Sequence, residues 1–111
     1  MKDSNKNYLK WGSFKSQDSE KPDVLEFKVL DTETFDTEYS TNIKALHKTN
    51  NGWNEVILPL KSHSSYNKSL LTLWEKAVKK REAKSGKKFS IRTWLGVSKN
   101  DRPIRRFELI F

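Results

Sequence analysis

The side chains best suited to chemistry in this chain are cations and flat rings at alternating positions of short strand-like runs. Once Phe27, Ile43, Leu58, Ile91 and Phe107 are turned inward, Lys28, Lys44, Lys48, Arg92 and Arg106 face outward, and Leu46, Trp53 and Trp94 share their phase. Cations beside indoles suit a single-stranded polyanion: ammonium and guanidinium groups follow its phosphates, and rings stack on its unpaired bases. Stacking contributes about 1–3 kcal/mol per base and is nearly indifferent to base identity. The expected binding is therefore sequence-tolerant and weakened by salt.

Other chemistries find less support. Asp31, Glu33, Asp36 and Glu38 form an acidic run whose spacing fits no calcium loop, which needs a central Gly and a distal Glu. It reads as a solvated loop. His47 and His63 are the only histidines, and with no Cys in the chain neither has the partners of a zinc site. Thiol nucleophiles and disulfides are excluded for the same reason. Ser62, Ser64 and Ser65 flank His63, but no nucleophile elbow surrounds them. With four Gly in all, no phosphate-cradling loop is present. The expectation is a protein without catalytic residues, metal or cofactor. A small metal-dependent nuclease is the lesser alternative.

The elements that must position the cations and rings follow from hydrophobic period. Five strand-like runs, Val24–Leu30, Thr41–Lys48, Trp53–Leu60, Lys87–Val97 and Pro103–Phe111, enclose one helical run, Ser65–Ser85, after the third. In the first strand Leu25, Phe27 and Val29 alternate with Glu26 and Lys28; in the second Ile43 and Ala45 alternate with Lys44, Leu46 and Lys48. Asn50-Asn51-Gly52 is a hairpin turn, because Asn-Gly tolerates the positive φ that tight hairpins need. The third strand sets Val56, Leu58 and Leu60 against Trp53, Glu55 and Ile57. The fourth sets Phe89 and Ile91 against Ser90, Arg92 and Trp94. Both phases of the last strand are largely apolar, which leaves its orientation open. In the helix Leu70, Leu71, Trp74, Ala77 and Val78 form one stripe, extended by Tyr66; Ser64 or Ser65 caps its start and Gly86 stops its end. Lys79, Lys80, Arg81 and Lys84 near its C-terminus suit the helix dipole as well as they suit a polyanion.

The chain has 111 residues, an apolar fraction of 34% and an aromatic fraction of 12% with four Trp. That length is one domain: a polar segment over residues 1–23, partly packed through Tyr8-Leu9-Lys10-Trp11-Gly12-Ser13-Phe14, and a folded unit over residues 24–111. The net charge of +8 is uneven, with −2 over residues 1–60 and +10 over residues 61–111. A basic half points to a polyanionic partner. No stretch has the length of a membrane span, and Met1–Lys10 lacks the apolar core of a signal peptide, so a cytoplasmic location without a membrane partner is expected.

Element order, the Thr37-Glu38-Tyr39 approach to the second strand, and the pattern Phe89-x-Ile91-Arg92-x-Trp94 followed by Ile104-Arg105-Arg106-Phe107-Glu108-Leu109 carry a resemblance. Over residues 24–111 the chain resembles OB-fold single-stranded DNA-binding domains of the bacterial and viral SSB and archaeal replication-protein-A kind. The resemblance implies a mainly-β, five-stranded OB-type barrel with one helix after the third strand. It implies non-catalytic, largely sequence-independent binding of single-stranded DNA, RNA being the variant, in replication or repair. The ligand would cross the second and third strands between two loops. That places Lys44, Leu46, Lys48 and Trp53 under it, with Phe35, Tyr39, Lys99 and Arg102 from the loops. Many such proteins end in an acidic tail that recruits partners, whereas this chain ends in a β-like run at Phe111, so recruitment of that kind is not implied. The alternative is an OB subunit of a replication, repair or transcription assembly, docking through Leu46, Ile57 and Ile110.

Overall fold

The computed structural model describes residues 7–111; residues 1–6, part of the polar segment and of the N-terminus discussed for a signal peptide, lie outside the described residues. Six strands form one antiparallel sheet: β1 (Asp23–Val29), β2 (Phe35–Asp36), β3 (Ser40–Thr49), β4 (Gly52–Ser62), β5 (Lys88–Val97) and β6 (Pro103–Ile110). One helix, α1 (Ser69–Lys79), lies between β4 and β5. The chain is mainly β, and all five expected strands form within a residue or two of their predicted ends. The alternating burial of Leu25, Phe27 and Val29, and of Val56, Leu58 and Leu60, follows the period of two that sends every second side chain to the core.

β1 is the central strand. It pairs with β3 through Phe27–His47 and Val29–Ala45, and with β5 through Leu25–Ile91 and Phe27–Phe89. β3 and β4 form a hairpin whose turn ends at Gly52, where φ is +96° and a side chain would be strained. β5 pairs with β6, giving the order β4-β3-β1-β5-β6, and β2 occupies the edge of β3 beyond the end of β1.

The sheet is not the closed five-stranded barrel expected from the sequence. β4 and β6 share no ladder. The outer edge of β4 is already taken: Ile57 N–H donates to Asn7 O at 2.8 Å and Leu9 N–H to Ile57 O at 2.9 Å, around a parallel bridge between Tyr8 and Ile57. Trp11 Nε1 then donates to Pro59 O at 2.8 Å, and its ring meets Phe107 of β6 edge-on at 5.0 Å. From the other side Arg105 Nη2 donates to Phe14 O at 2.7 Å. A strap over residues 7–16 and the helix, which packs on both β4 and β6, therefore fill the gap that a ladder would close.

The last strand is oriented by its partner. Phe107 lies opposite Thr93, which is fully buried, and Leu109 lies opposite Ile91, so Arg105, Phe107 and Leu109 face the core side. Arg105 is the polar member of that side: Nη1 donates to Thr93 Oγ1 at 3.0 Å. Burial pushes its pKa down, and the charge of Asp23 pushes it back up.

The helix is shorter than its apolar stripe suggested. Leu70, Trp74 and Ala77 are buried, but Tyr66 is fully exposed and precedes the helix. Neither Ser64 nor Ser65 caps the start; Asn67 Oδ1 accepts from Ser69 N–H, and Asn67 Nδ2 donates to Arg105 O, tying the helix entry to β6. The end comes at Arg81, in the left-handed region at φ +63°, where Glu82 and Ala83 N–H return to Ala77 O. Gly86 instead turns the chain into β5, its N–H donating to Val29 O at 2.7 Å.

Two substitutions test this packing by chemical denaturation. Trp74→Ala removes a buried indole and should cost about 3–5 kcal/mol. Trp11→Ala should cost about 2 kcal/mol, through lost ring packing and the lost bond to Pro59; wild-type stability would show that the strap does not close the gap.

Candidate nucleic-acid interface

The outward positions of β1, β3 and β4 collect five of the twelve residues expected to bind, and Phe35 of β2 joins them. Across the ladder Lys28 stands opposite Leu46, Lys44 opposite Ile57 and Lys48 opposite Trp53. Lys28 Nζ sits 4.6 Å from the centroid of the half-buried Trp53 ring, a cation–π contact. Lys44 Nζ lies 5.8 Å from the ring of Phe35 on β2, near the outer limit for such a contact. Acids temper the patch: Glu26 Oε2 lies 4.0 Å from Lys48 Nζ, both exposed, and Glu55 stands opposite Leu46. An exposed pair at that distance contributes little and leaves Lys48 available to a ligand.

Lys88 extends the cationic side and was missed by sequence reasoning. It stands opposite Lys28 on β5, so two ammonium groups are neighbours on the sheet face. The signal was present, since Lys88 shares the outward phase of Ser90 and Arg92.

The remaining residues lie elsewhere. Trp94 and Arg106 face each other across β5 and β6, and Arg92 Nη1 pairs with Glu108 Oε1 at 3.2 Å. A side chain at Gly96 would meet Arg106 Cγ at 3.2 Å, so the glycine gives the arginine stem its room. Half-buried Trp94 lines a cleft of about 440 Å³ with Gln17 and Ser19 from the N-terminal segment. Lys99 and Arg102 are exposed in the β5–β6 loop. Val24 and Glu26 of β1 separate this second group from the first. Tyr39 belongs to neither; it is exposed just before β3, its carbonyl accepting from His63 N–H. The expected docking trio forms no single patch: Ile57 lines a cleft with Phe35 and Lys44, whereas exposed Ile110 lines another with Trp53 and Lys88.

The acidic run is not a bare loop. Phe35 and Asp36 pair with Asn42 and Thr41 as β2, and buried Asn42 holds them, its Nδ2 donating to Phe35 O and Ser40 O. Trp74 Nε1 donates to Thr32 O at 3.1 Å, so the helix anchors the same segment. Among the described residues no group of three or more His, Cys, Asp or Glu could hold a metal ion. His63 Nδ1 bonds Glu38 O and its Nε2 lies 3.8 Å from Asp36 Oδ1, while Ser62 and Ser64 bond each other, so no serine–imidazole pair forms there. No described helix is long and apolar enough to cross a membrane.

No protein-family model, curated protein or solved structure matches the chain.

His47 sits in the inward phase, stacked on Phe27 at 5.0 Å, and burial lowers its pKa from the ordinary 6.5. The unfolded chain then takes up this proton at a higher pH than the folded one, so stability should fall as the pH drops below 6.5 toward the lowered value. Thermal melts from about pH 8 to about pH 5 should show a smaller loss for His47→Leu than for the wild type. Equal slopes would mean that the imidazole is not desolvated.

Proposed function

We propose that this protein binds single-stranded nucleic acid, in the first instance DNA, on the outward face of β1, β3 and β4, without catalysis and largely without regard to sequence. The observation that carries the reading is the pairing of cation with ring on that face. Lys28 lies over Trp53 and Lys44 beside Phe35, with Lys48 and Lys88 on neighbouring positions. The rings supply stacking surface and the ammonium groups supply phosphate contacts.

We read the fold as a partly open OB-type barrel. An OB-fold is a five-stranded, partly open Greek-key barrel that binds oligonucleotides on its second and third strands and on the loops after the first and fourth. With β2 taken as part of the first loop, β3 and β4 are the second and third strands, and the central position of β1 between β3 and β5 agrees with that topology. The loop carrying Phe35 then borders the face, beside Lys44 and Ile57.

A tryptophan-fluorescence titration with oligo-dT and oligo-U tests this. Binding should quench the emission and weaken steeply from low to moderate salt. Trp53→Ala should weaken binding by about 1–3 kcal/mol while leaving the domain folded, and Trp94→Ala, which lies off this face, should leave affinity near the wild-type value. Lys28→Ala should lower the slope of log affinity against log salt by about one. A salt-independent interaction, or none, would contradict the proposal.

A further inference from the structure

A second feature of this face bears on which base it prefers. A cleft of about 440 Å³ opens where the acidic segment meets β3 and β4, lined by Asp31, Glu33, Thr34, Phe35, Lys44 and Ile57. Its volume falls in the range of small-molecule sites, about 300–1,000 Å³. Its walls are fixed on several sides. Leu30 and Asp31 N–H donate to Lys44 O, Ser85 Oγ donates to Leu30 O, Trp74 Nε1 holds Thr32 O and Asn42 Nδ2 holds Phe35 O. A pocket built this way costs little to organise when a ligand enters.

The lining chemistry discriminates between parts of a nucleic acid. Phe35 and Ile57 offer an aromatic and an aliphatic surface, and the charged groups are two carboxylates and one ammonium. Two acids repel a phosphate, which is better served by Lys28, Lys48 and Lys88 outside the cleft. They accept hydrogen bonds from a flat ring that carries N–H donors. Lys44 already supplies one cation beside Phe35. Asp31 Oδ1 accepts from Glu33 N–H at 3.0 Å, whereas none of the hydrogen bonds or ion pairs among the described residues uses the Glu33 carboxylate. Guanine is the common base whose Watson–Crick edge presents two adjacent donors, N1–H and the 2-amino group, and a carboxylate can take both in parallel.

We infer that the cleft takes one guanine of the bound strand, stacked on Phe35 and read at its Watson–Crick edge by Glu33. This rests on the strand-binding reading and adds a preference at one nucleotide to an otherwise sequence-tolerant track. The test compares oligo-dT with the same oligonucleotide carrying one central dG, or one central inosine, which lacks the 2-amino group. The dG oligonucleotide should bind about ten-fold tighter than oligo-dT, with inosine between them. Glu33→Gln should bring the dG-to-dT affinity ratio to about one. Equal affinity of the wild type for the dG and dT oligonucleotides overturns the guanine site and leaves strand binding standing. A dG preference that survives Glu33→Gln overturns the role of that carboxylate. Failure to bind any of the three overturns both readings.

Discussion

Phe27 stands opposite His47 on one side and Phe89 on the other, and this register decides which side chains of the sheet meet water. The Phe27 ring lies 5.0 Å from His47 and 5.3 Å from Phe89, and both pairs are stacked. Because β1 is hydrogen-bonded on both edges, a slip of one residue would turn its whole apolar set outward and break both ladders. The same phase that buries Leu25, Phe27 and Val29 places Lys28 over Trp53. Core and candidate surface are two consequences of one alternation.

The rest of the molecule covers what that sheet leaves open. Trp74 is the centre of the cover, buried on α1, tilted against Phe89 at 5.6 Å and bonded through its N–H to Thr32 O. One indole thus joins the core to the acidic segment and fixes a wall of the Phe35–Lys44 cleft. The strap over residues 7–16 covers the other gap, with Trp11 set between β4 and β6. The buried polar groups along this seam are satisfied: Thr93 accepts from Arg105, Arg105 also donates to Phe14 O, and no buried side-chain N or O among the described residues lacks a partner.

What was legible in the sequence was local. Alternation at Leu25–Val29, Ile43–Leu46 and Val56–Leu60 gave the strands and their phases, and Asn51-Gly52 gave the hairpin, because each signal lies within a few residues. What was not legible depends on partners distant in the chain. β2 sits in an acidic run with no strand pattern and forms because the side chain of Asn42 holds it. The orientation of β6 needed buried Thr93 as its neighbour, since Ile104–Phe111 is apolar in both phases. The open edge could not be read because a polar segment, not a strand, takes up the hydrogen bonds of Ile57. The helix end was misplaced because Arg81, a residue that rarely takes a positive φ, performs the turn expected of Gly86.

The charge asymmetry of the sequence has a similar history. The basic half was evident from counting, but its placement was not: Arg92 is paired with Glu108, while Lys88 joins Lys28 across the ladder. The candidate face therefore draws its cations from both halves of the chain. The most direct measurement is a chemical-shift map of isotope-labelled protein titrated with oligo-dT. The account predicts that the largest changes fall on residues 28, 44–48 and 53–57 and on the Trp53 indole. Changes confined to α1 or to the far side of the molecule, with the Trp53 indole unmoved, would contradict it.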